Sequence, residues 1–250
     1  MSLISLREIG RTVRLPDGKD LEILRDINLD VEAGERVSIV GRSGSGKSTL
    51  LNQIGLLDTP TKGMYRFDGI DTKRLSSAKR DRLRGREFGF VFQQFNLLPG
   101  RTAIENVMAP LLYATGREFW NRRKLAQAAL ETVGLGERLQ NLPTQLSGGE
   151  QQRVAIARAL VRKPRAILAD EPTGALDVET GQSVMRLLRE VTIDTGAALI
   201  VITHDPAIAA LADRVVRLDQ GQLVDEAGTP ISGAAIPPAP PAAGAQGVQA

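Results

Sequence analysis

The 250-residue chain has no cysteine and a single histidine. A disulfide framework and a thiolate metal site are therefore excluded, as is a metal centre built from several histidines. Aromatic residues make up only 4% of the chain, and none occurs before Leu50. Long apolar runs are missing too. The longest, such as Ala197 to Ile202, fall far short of the roughly 18 residues a membrane helix needs. Met1 to Glu8 carries Arg7 and Glu8 where a signal peptide would have its apolar core. The expectation is a soluble chain that reaches a membrane only through a partner. The excess of 32 basic over 29 acidic residues leaves +3, too little to argue for nucleic acid. A pI near 9.4 allows weak contact with acidic surfaces. Apolar content of 42% is ordinary, and the length suits one large core with a small subdomain.

Against these absences stands one dense motif. Gly41-Arg42-Ser43-Gly44-Ser45-Gly46-Lys47-Ser48-Thr49 fits G-x-x-x-x-G-K-[ST], a phosphate-binding loop. Val37 to Val40 before it reads as a buried strand, and Thr49 to Ile54 after it as a helix. Glycines let backbone N–H groups close around phosphate oxygens, and the helix N-terminus adds positive partial charge. Lys47 would reach the β- and γ-phosphates, Ser48 would hold Mg²⁺ and Thr49 would add a hydroxyl at the α-phosphate. A plain Gly/Ser turn is the alternative, and the strand–loop–helix context outweighs it.

The rest of the chain alternates strands and helices. Ile4 to Ile9 and Leu21 to Val31 read as β, with Leu24, Ile27, Leu29 and Val31 pointing inward. Lys73 to Arg86 carries seven basic residues and one acid, Asp81; a solvated helix face is preferred over a binding patch. Phe88 to Phe92 forms a strand ending in Gln93-Gln94. Residues 102–163 are mostly helical by pattern. Ala166 to Ala169 and Ala198 to Thr203 are buried strands, the latter ending at His204. Val178 to Thr192 is an amphipathic helix, and 215–224 a terminal hairpin. Apolar strands between helices argue for a mostly parallel sheet covered on both faces. Residues 229–250, rich in Ala and Pro without charge or aromatic side chains, read as a disordered tail.

Hydrolysis of a nucleoside triphosphate needs Mg²⁺, donors around the γ-phosphate and a positioned water. Asp170, at a strand end, fits the Mg²⁺-holding acid, and Glu171 a general base worth roughly 10²–10⁴ in rate. An acid pair capping a helix is the bland alternative. Gln93, a strand-end amide, could reach Mg²⁺ and the water. A lone histidine is usually structural, but His204 ends a strand of the same sheet. Leu146 to Arg153 contains Ser147-Gly148-Gly149 at a helix start, a second cradle for an anion. One triphosphate does not need two cradles in one chain, which points to two chains sharing nucleotides.

Taken in order, Gly41–Thr49, Gln93, Leu146–Arg153, Ile167–Glu171, Gly174–Asp177 and His204 resemble the phosphate loop, Q-loop, signature, Walker B, D-loop and switch histidine of an ABC ATPase. The resemblance covers about residues 2–225. It implies an α/β fold: a P-loop NTPase sheet with an N-terminal antiparallel β-subdomain and an inserted helical subdomain at about 95–163, all within 1–228. It further implies ATP and Mg²⁺ as ligands and a head-to-tail homodimer. Lys47, Ser48, Thr49, Gln93, Asp170, Glu171 and His204 would act in cis, and Ser147, Gly149 and Asp177 from the partner chain. Phe90–Pro99, Ser147–Arg153 and Ala169–Gly174 are similar to the macrolide-export, lipoprotein-release, haem-export and cell-division branch. That implies an ATPase subunit peripheral to the cytoplasmic face of the cell membrane, attached to a separate integral membrane permease. A regulatory ATPase that acts on a membrane partner without transport is the nearest rival. Action on DNA or ribosomes is not expected, since there is one cassette and no coiled-coil or zinc insertion. The groove for the permease would be lined by Gln93–Leu98, with Phe95 and Leu97 either contacting it or packing internally. One departure stands out. The family stacks adenine on an aromatic residue of the first hairpin; by register Val13 occupies that place, implying weak adenine discrimination.

Overall fold

The computed structural model describes residues 2–224, 229 and 230. The expected α/β class is what it shows. Two sheets are present among the described residues. The first is antiparallel, with strands β1 (Ile4–Arg14), β2 (Asp20–Val31), β4 (Lys62–Phe67) and β5 (Ile70–Asp71) in the order β2-β1-β4-β5. The second contains β3 (Arg36–Val40), β6 (Phe88–Phe92), β7 (Ala166–Asp170), β8 (Ala198–Thr203), β9 (Arg214–Asp219) and β10 (Gln222–Val224). Its order is β10-β9-β3-β8-β7-β6, parallel except for the terminal β9–β10 hairpin.

The central strands are apolar because both of their faces are covered. Along β7, Ala166 and Leu168 join one core, Ile167 and Ala169 the other. Along β8, Ala198, Ile200 and Ile202 face the first core, Leu199 and Val201 the second. This is the period-two alternation of a pleated strand used twice. Each fully buried Ile or Leu contributes about 1.5–3 kcal/mol. The first core holds the antiparallel sheet and helix α1 (Lys47–Ile54), through Leu50, Leu51 and Ile54. Leu24, Ile27, Leu29 and Val31, the inward candidates of β2, are all fully buried there. The buried Tyr65 hydroxyl donates to the Ile54 carbonyl at 2.6 Å and joins that sheet to the end of α1.

The second core holds α3 (Ala103–Met108), α5 (Arg122–Thr132), α6 (Gly148–Leu160) and α7 (Val178–Thr195). Helix α2 (Ser77–Glu87) buries no residue, so the basic stretch is a solvated helix face. Short helices α4 (Arg117–Trp120) and α8 (Pro206–Ala209) complete the set among the described residues. Of the segment 229–250, Thr229 and Pro230 are described, with Pro230 bridged to Val224; the remaining tail lies outside the described residues.

Candidate active site

The register of the parallel sheet decides what meets at its edge. Val40 lies opposite Thr203, Ile202 opposite Asp170, and Asp170 opposite Phe92. The next residues along each strand, Gly41, His204, Glu171 and Gln93, therefore emerge side by side. They do so at the carboxyl ends of the strands, where open α/β sheets bind ligands. Together with the phosphate loop they line a cleft of about 800 Å³.

Gly44 and Gly46 hold φ of +79° and +101°, the left-handed region glycine enters without steric penalty. At Gly41 a Cβ would stand 2.3 Å from the Leu218 carbonyl oxygen, so the loop can lie this close to β9 only without a side chain. Lys47 Nζ donates to the Gly41 and Arg42 carbonyls at 2.8 and 2.9 Å, holding the ammonium over the loop. Ser43, Gly44, Gly46, Lys47, Ser48 and Thr49 all border the cleft. Ser45 turns inward instead. It is buried, its N–H donates to the Arg42 carbonyl, and its carbonyl accepts from the Gly221 N–H.

Ser48 Oγ donates to Asp170 Oδ2 at 3.1 Å. Burial pushes the Asp170 carboxyl above its usual range and the Glu171 charge adds to this, against the Ser48 hydroxyl and Lys47. Glu171 has a φ of +45°, a strained position for a non-glycine residue that costs on the order of 1–3 kcal/mol. Its backbone is held by N–H donation to the Ile202 carbonyl and by the Gly174 N–H donating to its own carbonyl. Its side chain is held by His204, whose Nδ1 lies 2.7 Å from Oε1. His204 is 73% exposed against 17% for Glu171, so the histidine faces the cleft and the carboxylate sits beneath it. Gln93 lies against Gly174, where a Cβ would come within 2.7 Å of its Nε2.

Ser48 Oγ and the Asp170 carboxylate put two hard oxygen donors together, with Gln93 lining the same cleft. A hydroxyl and a single carboxylate suit Mg²⁺, which favours one or two carboxylates and otherwise phosphate oxygens and water.

Ser147, Gly149 and Asp177 do not line this cleft. Ser147 caps α6, its N–H donating to Glu150 Oε2 at 2.8 Å while its Oγ accepts from the Glu150 N–H at 3.3 Å. Asp177 caps α7 by accepting from the Thr180 N–H. The two helix starts touch, since a Cβ on Gly149 would stand 2.5 Å from Thr180 Cγ2. The three residues thus gather at a second place, with Ser147 and Asp177 exposed. Buried Gln152 joins the two places: its Nε2 donates to the carbonyls of Pro172 at 2.5 Å and Phe92 at 3.4 Å.

Val13, the position that the resemblance implies for the adenine contact, lies in β1 beyond the register shifts between Leu6 and Thr12. Val13 does not line the cleft; its ladder partner Leu21 does, together with Ile23. Arg42 borders it too, and sequence reasoning passed over it as an unspecified position of the motif. A separate groove of about 390 Å³ has Leu57, Phe90 and Phe92 in its walls and Arg84, Arg158 and Arg162 around it. Phe95 and Leu97 are both half-buried in the free chain. Leu97 packs on the second core, and the Phe95 ring approaches Gly148. The left-handed backbone of Phe95 and Asn96 is pinned by Arg158, which donates to both carbonyls.

A family model described as ABC transporter matches residues 24–174. The chain belongs to the ABC transporter family. It is the ATP-binding part of that family and an ATP hydrolase of the ABC type. A macrolide export ATP-binding/permease protein MacB from Syntrophobacter fumaroxidans is 50% identical over 229 residues, covering 91% of this chain and 32% of the relative. The MacB of Brucella melitensis is 51% identical, covering 90% and 34%. The cassette thus spans about a third of the length of these curated relatives. Among solved structures, the dimeric ATP-binding cassette MJ0796 in a post-hydrolysis state with ADP and Pi superposes with TM-score 0.80 at 43% identity. The match covers 92% of this chain and 99% of that one. CbiO1 of Clostridium perfringens, part of the cbiONQ transporter complex, gives 0.79 at 29% identity, covering 90% and 87%.

Proposed function

We propose that the cassette is the ATP-hydrolysing subunit of an export or mechanotransmission complex. It would sit on the cytoplasmic face of the membrane and drive a separate permease subunit by ATP-dependent homodimerisation. One observation carries this reading. The hydrolytic groups share one cleft, while Ser147, Gly149 and Asp177 gather outside it. A second copy placed head to tail would bring them to the open side of that cleft. The dimeric arrangement of the MJ0796 cassette supports it.

In this reading residues 1–228 form the ATPase domain, with 95–163 as its inserted helical part. Backbone N–H groups of the phosphate loop and Lys47 bind the β- and γ-phosphates. Ser48, Asp170 and Gln93 hold Mg²⁺, which neutralises phosphate charge when bound. Glu171 accepts the proton of the attacking water, and His204 orients its carboxylate through the 2.7 Å contact. The arginine-rimmed groove beside Phe90 and Phe92 receives the permease.

Glu171→Gln should bind ATP yet lose turnover by about 10²–10⁴; near-parental turnover would remove Glu171 from the base role. A tagged Glu171→Gln chain, expressed in its own host and recovered from solubilised membranes with ATP, should co-purify an integral membrane protein. Recovery from the soluble fraction alone, with ribosomes or DNA, would overturn the transporter reading.

A further inference from the structure

We propose that α2 and the segment from Tyr113 to Trp120 form a contact site for anionic phospholipid headgroups at the bilayer surface. The inference rests on the reading of the chain as a membrane-complex cassette.

A cleft of about 760 Å³ has Arg82, Arg84 and Arg86 of α2 on one side and Tyr113 and Thr115 on the other. Arg162 bridges the two segments by donating to the Gly85 carbonyl and to Glu118 Oε2. Tyr113 is 85% exposed and Trp120 79%. Phe119 meets Trp120 edge-on, with ring centroids 5.4 Å apart. The surface is therefore a cationic helix facing the exposed Tyr113 ring across the cleft, with exposed Trp120 further along the segment that Arg162 ties to α2.

The acids in reach are already engaged. Asp81 pairs with Arg84, Glu87 with Arg86 and Glu118 with Arg162. Arg82 and Lys79 form no ion pair among the described residues, and both are exposed. Exposed rings beside surplus cations mark a surface that something covers. Tyr and Trp settle at headgroup level, where one end of the ring is apolar and the other wet. Arginine forks match phosphate oxygens. The patch also continues the groove assigned to the permease, since Arg84, Gly85, Pro110 and Arg162 line both cavities. The bilayer is what surrounds a permease. The solvated face of α2 in the free chain thus gains an occupant on the membrane.

The test is flotation of the full chain with phosphatidylcholine vesicles, with or without about one-third phosphatidylglycerol. We expect flotation only with the anionic vesicles, reversed by high salt. The pair Arg82→Gln and Arg86→Gln should lower partitioning about 25-fold, as each surface cation multiplies binding about fivefold. Arg186→Gln with Arg189→Gln on α7, a charge-matched pair, should leave it unchanged. Tyr113→Ala with Trp120→Ala should weaken binding while leaving its salt dependence in place. Equal flotation with neutral vesicles, or an equal loss in the α7 pair, would overturn the proposal. So would binding that appears only when the membrane subunit is reconstituted, which would assign the patch to a protein. Flotation needs neither ATP turnover nor a permease, so its failure would leave the transporter reading standing. Turnover of the Arg82/Arg86 variant in solution should equal that of the parent.

Discussion

Glu171 stands where local chemistry and backbone strain coincide. A left-handed carboxylate residue held by the Ile202 carbonyl, the Gly174 N–H and His204 is pre-organised rather than free to choose a rotamer. Gly174 matters for a second reason, because its missing side chain makes room for Gln93. In Gly174→Ala the amide end can swing aside, so melting temperature should hold. Turnover should fall about tenfold or more from the displaced group; unchanged turnover would take Gln93 out of the chemistry. Leu21 and Ile23 add aliphatic side chains to the cleft lining. A base that packs on them and Val13 instead of on a ring would forgo on the order of 1–3 kcal/mol. ATP and GTP should therefore bind within about tenfold of each other by calorimetry, and a larger gap would show that the base is read in another way. The groups whose chemistry sits within a motif, such as Lys47 and Asp170, were legible from the sequence. Leu21 and Ile23 were not, because no motif marks them: β2 carries them to the cleft edge, with Leu21 paired to Val13.

Elements were legible wherever periodicity and a cap agreed, and less so where backbone chemistry intervened. Within the mostly helical stretch 102–163, α3 ends at Met108 and continues as a 3-10 turn, because Pro110 has no N–H to donate. Helix α7 runs three residues past Thr192 and stops at Gly196, whose φ is +67°. Capping carboxylates hold three of the helix starts around the site, and this has a pH signature. Backbone N–H bonds from Thr102, Ser147 and Thr180 hold Glu105, Glu150 and Asp177 below their ordinary values. Depressed acids stabilise the fold fully above the unfolded pKa, about 3.9–4.3, and lose that contribution as pH falls through the lower folded value. Thermal melts should therefore worsen below about pH 4. Glu105→Gln, Glu150→Gln and Asp177→Asn together should flatten that decline. Superimposable acid profiles for parent and triple variant would show that the caps do not report on folding.

At the scale of the whole molecule, the proposed function makes the chain half of a device. Its sheet edge carries the hydrolytic groups, its α6 and α7 starts carry a second set that the same cleft does not use, and Gln152 ties the two together. Both sets were named from several short motifs and their resemblance to the family. Their separation in space depends on sheet register and helix packing, which only the fold displays. Sedimentation of Glu171→Gln with and without ATP and Mg²⁺ tests the composite site most directly. A monomer that becomes a dimer only with ATP, and stays monomeric once Ser147→Arg is added, is the predicted result. A Glu171→Gln chain that binds ATP yet remains a monomer would contradict a site shared between two copies.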